Sequence, residues 1–414
     1  MSRSSTAAQA TGGLGRAPSG RQVRVAIGLG TLALVAAACV TVTPPPPPPQ
    51  PVSQYCGSAA PTTALGYQNV FLALRRTYTE WVSADGAIPV DLPDGRRVFL
   101  FSDTYVGTTN GSDAIGTNDR LVHNTFVVQD GPCFAPLMGG VPHARTALIP
   151  DPAPNEWYWP ASGVVENGST LRVIVWHMQT GSGGPLNFVP LDMQVATFAL
   201  PSLALEGVQP LPIPTSADRP YGTTILAALD GYFYLYGRDG NRDQFVTRVQ
   251  RGQLTSGPYQ FWGDFPGSGP QWQSDPTLAV PLVVNNVPPL IPQLGTGTGP
   301  AAGMWVAPYQ GGYLATAKPA DIFSDTVSVF TALHPEGPWT WQEDVAVTPP
   351  SAASGVPDAA GLAAYGAYTL TPTGNPIVVY STNQNPFTAN PPPLTIDNYG
   401  PQFASPSAPL PTIP

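Results

Sequence analysis

The sequence predicts an all-β protein folded as a five-bladed β-propeller, and three observations carry that prediction. First, one hairpin recurs, a polar turn with Gly followed by an apolar, aromatic-rich strand. It reads LPDGRRVFLFSDTYVG around Gly95, ENGSTLRVIVWHM around Gly168, LDGYFYLYGRDG around Gly231, YQGGYLATAK around Gly312 and TPTGNPIVVYSTN around Gly374. Second, these turns are 73, 63, 81 and 62 residues apart. That interval leaves room for a second hairpin, hence about four strands per unit, the content of a propeller blade. Third, glycine and proline supply 95 of 414 residues while charged residues supply 10%, against about 25% in an average domain. Many turn formers and few charges suit short, largely buried strands. No window keeps a 3.6-residue apolar period with caps, so helical repeats are excluded. A large β-sandwich would not give five copies of one hairpin at blade-length spacing.

The first 55 residues do not read as fold. Residues 1–38 form a lipoprotein-type signal peptide: Arg3, Arg16, Arg21 and Arg24 precede an apolar run from Val25 to Val40. That run is short for a membrane span. Ala36-Ala37-Ala38-Cys39 resembles a lipobox, which makes Cys39 the lipidation candidate and places the protein outside the cell, lipid-anchored to the outer face of the bacterial membrane. An ordinary secretory signal is the alternative. Residues 39–55 are a Pro-rich tether whose six consecutive prolines form a stiff polyproline II spacer. Removing Cys39 leaves Cys56 and Cys133, which pair as a disulfide in an oxidising compartment. The propeller runs over 56–403, and the tail 404–414 (ASPSAPLPTIP from Ala404) reads as disordered. With 13 basic against 26 acidic residues beyond the signal, the mature chain has no basic cluster, so nucleic acid is excluded as a partner.

Residues common to all five hairpins serve the fold, whereas residues found in one alone are candidates for function. Only the first hairpin carries acids at matched positions, Asp85 and Asp103. With DGAIPVDL (85–92) and RRVFLFSD (96–103) as strands joined by Pro93-Asp94-Gly95, Leu92 faces Arg96 and Asp85 faces Asp103. With a two-residue loop, Asp85 faces Thr104 and the acids are diagonal neighbours. Opposed like charges destabilise a strand pair, so the fold gains nothing from them. Each raises the other's pKa, which separates acid and base roles in one site. Taken singly, Asp85-Gly86 also reads as a turn and Asp103-Thr104 as a loop cap. The apolar strand before Asp103 makes it the expected proton donor.

At these residues the sequence resembles bacterial endo-D-arabinanases. Their hallmark is matched by W-x3-DGAIPVDLPDGRRVFLFSDTYVG from Trp81, and later segments by LVHNTFVVQDG (121–131), YWPASGVVENG (158–168), RPYGTTI (219–225) and VVYSTNQN (378–385). The likeness spans roughly residues 65–390. It implies a secreted five-bladed propeller glycosidase cutting arabinofuranosyl chains of cell-wall arabinan, with paired catalytic aspartates at Asp85 and Asp103. A His-Pro pair that many relatives carry in the last blade is absent here, where the chain reads GAYTLTPTG.

Trp81, Trp159, Tyr221 and Tyr365 lie at or just before inner strands and are candidate sugar platforms; blade packing is the simpler reading of each, and Trp81, close to Asp85, is the better candidate. Asn124 is a candidate for binding substrate or orienting an acid. Glu166, in a Glu-Asn-Gly turn, and Asp358, in a Pro-Asp loop, are the other carboxylates considered, with a solvated turn the simpler reading of Glu166. His123, His143, His177 and His334 make no metal-spacing motif; His177 reads as a core residue, and only His123 is near the acids. No metal or cofactor is expected, and GTGTGPAAG (295–303) opens no helix, so it is no nucleotide loop. Three functions stay open. One is a glycoside hydrolase on an arabinan-type polysaccharide. The second is a non-catalytic glycan- or protein-binding surface propeller. The third is a lyase or phosphorylase, for which Arg219 and Arg238 would have to bind phosphate.

Overall fold

The computed structural model describes residues 54–77, 80–107, 113–116, 119–184, 186–214, 219–240, 243–286, 303–319, 323–347, 361–371, 375–410 and 413. The signal, Cys39, nearly all of the tether, Asp358 and Gly374 lie outside them.

Five sheets, antiparallel except for the outermost strand of the fourth, form the blades of a propeller. Their innermost strands are Trp81–Asp91, Glu156–Glu166, Tyr221–Ala227, Trp305–Tyr309 and Leu362–Leu370 in blades I to V. Each touches the next, and the last touches the first, so the five close a ring. Blade I continues outward through Arg97–Val106, Thr125–Asp130 and Cys133–Leu137, with Tyr55–Cys56 at its outer edge. Cys56 and Cys133 are directly paired there and joined by a disulfide. Blade II is four-stranded, blades III and IV five-stranded, and blade V three-stranded.

Radial packing explains why the second strands are apolar on both faces. In blade I, Val98 and Leu100 enter the core shared with blade II, while Phe99 and Phe101 enter the core shared with blade V. In blade III, Phe233 and Leu235 face blade II while Tyr234 and Tyr236 face blade IV. Side chains alternate at period two, and each side of the sheet meets another sheet. Five apolar clusters result, one at each blade interface.

Two expectations need correction. Among the described residues one α-helix is present, Ala64–Thr77. Thr63 caps it, its Oγ1 accepting from the Gly66 N–H. Tyr67, Val70, Phe71 and Leu74 form the i, i+3, i+4, i+7 stripe of an amphipathic helix, and that stripe is buried between blades I and V. The described part of the tail, residues 404–410 and 413, is also placed against the ring. Ala404 ends the last strand, Leu410 is buried between blades IV and V, and Ser407 donates to Glu343 Oε2. Two apolar side chains, Leu410 and Ile413, secure a segment whose prolines and small residues suggest disorder.

Candidate active site

Blade I builds the site by interrupting its own first hairpin. Near the turn the expected register holds, with Asp91 opposite Arg97 and Ile88 opposite Leu100, and Leu92 N–H donating to Arg96 O. Two irregularities follow, between Ile88 and Gly86 and between Gly86 and Ala84. Ala84 pairs with Thr104 and Gly86 with Phe101, so Asp85 alone opposes Ser102 and Asp103, a bulge on the second strand. On the first strand Gly86 has φ 106° and Ala87 φ 64°. A Cβ on Gly86 would lie 3.1 Å from Leu100 O. The glycine of Asp85-Gly86 therefore serves a bulge, not a turn.

The two carboxyls meet there in different surroundings. Asp85 Oδ2 accepts a hydrogen bond from the Tyr365 hydroxyl at 2.5 Å, and Oδ1 is buried with no partner among the described residues. Burial, and then the negative charge of Asp103, push the Asp85 carboxyl up to about 8 against the opposing pull of the Tyr365 hydroxyl. Asp103 is instead well provided with donors. The Trp159 indole donates to its Oδ1 at 2.7 Å and His123 Nδ1 lies 2.9 Å from the same oxygen. The His123 ring is stacked on Trp157, with centroids 4.7 Å apart. The buried Tyr399 hydroxyl donates to the Asp103 backbone carbonyl. Asp103 is thus fixed from blades I, II and V, and its Oδ2 receives no hydrogen bond from the described residues. Desolvation falls on Asp85 and favours its protonated form, whereas the apolar strand alone pointed to Asp103 as the proton donor.

The pair lies on the floor of a cavity of about 620 Å³ to which all five blades contribute. Trp159 and Tyr365 line it, and both bind the acids through hydrogen bonds. The other three platform or orienting candidates lie elsewhere. Trp81 is fully buried between blades I and V, with its indole donating to Thr125 Oγ1. Tyr221 is buried between blades II and III. Asn124 is fully buried and bridges blades I and II, donating to the Ile149 and Tyr158 carbonyls and accepting from Ile149 N–H. An aromatic at an inner strand has two neighbouring sheets to pack into, and at two positions packing prevails. Glu166 is not a solvated turn residue: it is buried, paired with Arg172 at 2.8 Å and accepting from Gly252 N–H of blade III. His177 is not a core residue but lies in a polar cluster with Glu156, Asp192 and Gln194. Arg238 lines the cavity, whereas Arg219 stacks over Phe245. No cluster of metal-ligating side chains occurs among the described residues.

Sequence reasoning missed Trp176, Phe188, Trp305, Asn383 and Gln384, which also line the cavity. The signal was positional. The cavity rim takes the beginning of each inner strand and the end of the strand paired with it, as Trp159 opposite Trp176 shows. Superposing the repeats on Asp103 marks those ends.

Similarity to known proteins agrees with the fold. A Bacteroides ovatus protein described only provisionally as a hydrolase matches with TM-score 0.61 and 17% identity over 85% of this chain and 93% of its own. A GH43 β-xylosidase/α-arabinofuranosidase from a compost microbial metagenome, in complex with xylotriose, matches with TM-score 0.44 and 10% identity over 87% and 98%. A GH43_1 enzyme from Xanthomonas citri complexed with xylotriose matches with TM-score 0.42 and 13% identity over 82% and 93%. At 17% identity the likeness to the Bacteroides ovatus protein concerns the fold alone. Among curated proteins none matches in sequence. The family described as a domain of unknown function, DUF5005, matches residues 68–405, most of the propeller, and the chain belongs to that family.

Proposed function

We propose that the protein is a secreted glycoside hydrolase that cleaves arabinofuranosyl linkages of an arabinan-type cell-wall polysaccharide, held at the outer membrane face by a lipid on Cys39. The observation that carries the hydrolase reading is the acid pair lining the cavity, one carboxyl buried and held toward its protonated form, the other hydrogen-bonded by Trp159 and His123. Glycoside cleavage needs these two roles side by side. Asp85 donates its proton to the glycosidic oxygen as the bond to the anomeric carbon breaks. The Asp103 carboxylate, aimed by Trp159 and His123, acts through Oδ2 on the anomeric carbon or on the attacking water. Aromatic side chains around the pair offer faces for sugar rings, and Asn383, Gln384, Thr223 and Arg238 offer polar groups for hydroxyls. The arabinan specificity rests on the sequence likeness around Asp85 and Asp103.

The test is release of oligosaccharides from arabinogalactan by residues 54–414, beside Asp85→Asn and Asp103→Asn. Cleavage by the wild type that both variants lose by about 10²-fold or more is expected. Binding without cleavage by the wild type overturns the hydrolase reading in favour of a glycan-binding propeller. Mass spectrometry of the full chain from membranes, showing an unmodified Cys39, overturns the anchor.

A further inference from the structure

The cavity has one wall poor in hydrogen-bonding side chains for a sugar, the Trp176 indole N–H being its one side-chain donor not engaged by a described residue. Blade II contributes Trp159, Trp176, Met178, Leu186, Phe188 and Pro190, with Pro160 and Ala161 below them. The Trp159 N–H is already engaged by Asp103. The rest of the lining differs: blades III and V bring Thr223, Arg238, Asn383 and Gln384. Aromatic rings alone are ordinary in a sugar site. Met178, Leu186 and Pro190 are not, because aliphatic groups leave hydroxyls unpaired and so cost binding energy.

The dry wall begins at the acid pair and runs outward. Trp159 touches Asp103, and Phe188 packs edge-on against Trp159 with centroids 4.8 Å apart. Leu186 and Phe188 keep 37% and 36% of their surface exposed, beside a concave site rather than scattered over the outside. Resting on the hydrolase reading, we propose that the substrate is amphipathic: a glycoside bearing an acyl or alkyl group, which lies along the blade II wall while its sugar faces blades III and V.

The test uses Asp85→Asn, which removes the proton donor, and titrates three ligands by calorimetry: methyl arabinofuranoside, octyl arabinofuranoside, and methyl arabinofuranoside carrying an O-octanoyl ester. The apolar chain is expected to tighten binding by about threefold per buried methylene. A gain for the octyl glycoside places the apolar group on the aglycone; a gain for the ester places it on the sugar. Leu186→Asn and Phe188→Asn, both at partly exposed positions, are expected to abolish the gain. Equal affinity for all three ligands, or a gain that both substitutions leave intact, overturns the proposal. Tighter binding of the chain-bearing ligands, with no cleavage of any glycoside by the wild type, upholds this wall and sinks the hydrolase reading alone.

Discussion

A carboxyl that loses water and faces a second carboxylate keeps its proton to higher pH, and at Asp85 this has two measurable consequences. With its pKa pushed to about 8, Asp85 is protonated at neutral pH and can act as a general acid. Activity is expected to fall as pH rises through about 8. The Tyr365 hydroxyl stabilises the ionised form, so Tyr365→Phe moves this alkaline limb to higher pH, read from kcat against pH. A limb that does not move in Tyr365→Phe means that Asp85 is not the group titrating. The second consequence is for stability. The ordinary aspartate value is 3.8, so between that value and about 8 the folded chain holds a proton that the unfolded chain has released. Stability therefore declines with rising pH across this window and levels beyond it. Asp85→Asn removes the decline. Its advantage over wild type is absent below pH 3.8 and grows to roughly 5 kcal/mol at alkaline pH, read from thermal midpoints at a series of pH values. A constant difference across pH would show that Asp85 is ionised throughout.

The elements divide between those that announce themselves in sequence and those that depend on a partner. The first hairpin was legible to its turn, since Pro93-Asp94-Gly95 sets the register and alternation fixes the faces. The bulge at Gly86-Ala87 was not legible, because Gly86 reads equally as a turn residue until its closeness to Leu100 O is seen. The pairing of acids survived that error because the two bulges lie on opposite strands and offset each other, so that Ala84 faces Thr104 as the uninterrupted register requires. The helix Ala64–Thr77 was missed for another reason. Its stripe was present, but a prior in favour of strands and a modest cap at Thr63 concealed it. It fills the position beside blade V, which has only three strands, and Arg75 ties it to that blade through the Ile396 and Tyr399 carbonyls. Phe71 is fully buried and touches the rings of Phe99, Phe101, Phe134 and Phe403. Phe71→Ala is expected to cost about 3–5 kcal/mol, read from chemical denaturation. A loss below about 1 kcal/mol would mean that the helix is a peripheral addition to the ring, as for a surface substitution.

At the scale of the whole molecule the cavity exists only while the ring is closed, because each blade supplies part of its lining and none contains it. Closure in turn depends on the first and last blades, which no covalent bond joins and which meet through the helix and the apolar cluster around Phe71. That division separates stability from chemistry in the disulfide. Cys56 and Cys133 are 77 residues apart, and the loop they close contains the helix, the first hairpin and both aspartates. Cross-linking a loop of that length restricts the unfolded chain by about 4 kcal/mol in the loop-entropy account. The bond itself lies at the outer edge of blade I, several strands from the acid pair. Replacing both cysteines by serine is therefore expected to lower the denaturation midpoint substantially while leaving kcat and KM unchanged wherever the protein remains folded. The helix begins a few residues after Cys56, so fraying of the unlinked end would reach blade V and then the floor of the cavity. If kcat falls in step with each increment of denaturant well before global unfolding, the ring opens locally and the disulfide guards the site. If kcat holds until the cooperative transition, blade I remains seated through its cores alone, and the bond acts only on the unfolded chain.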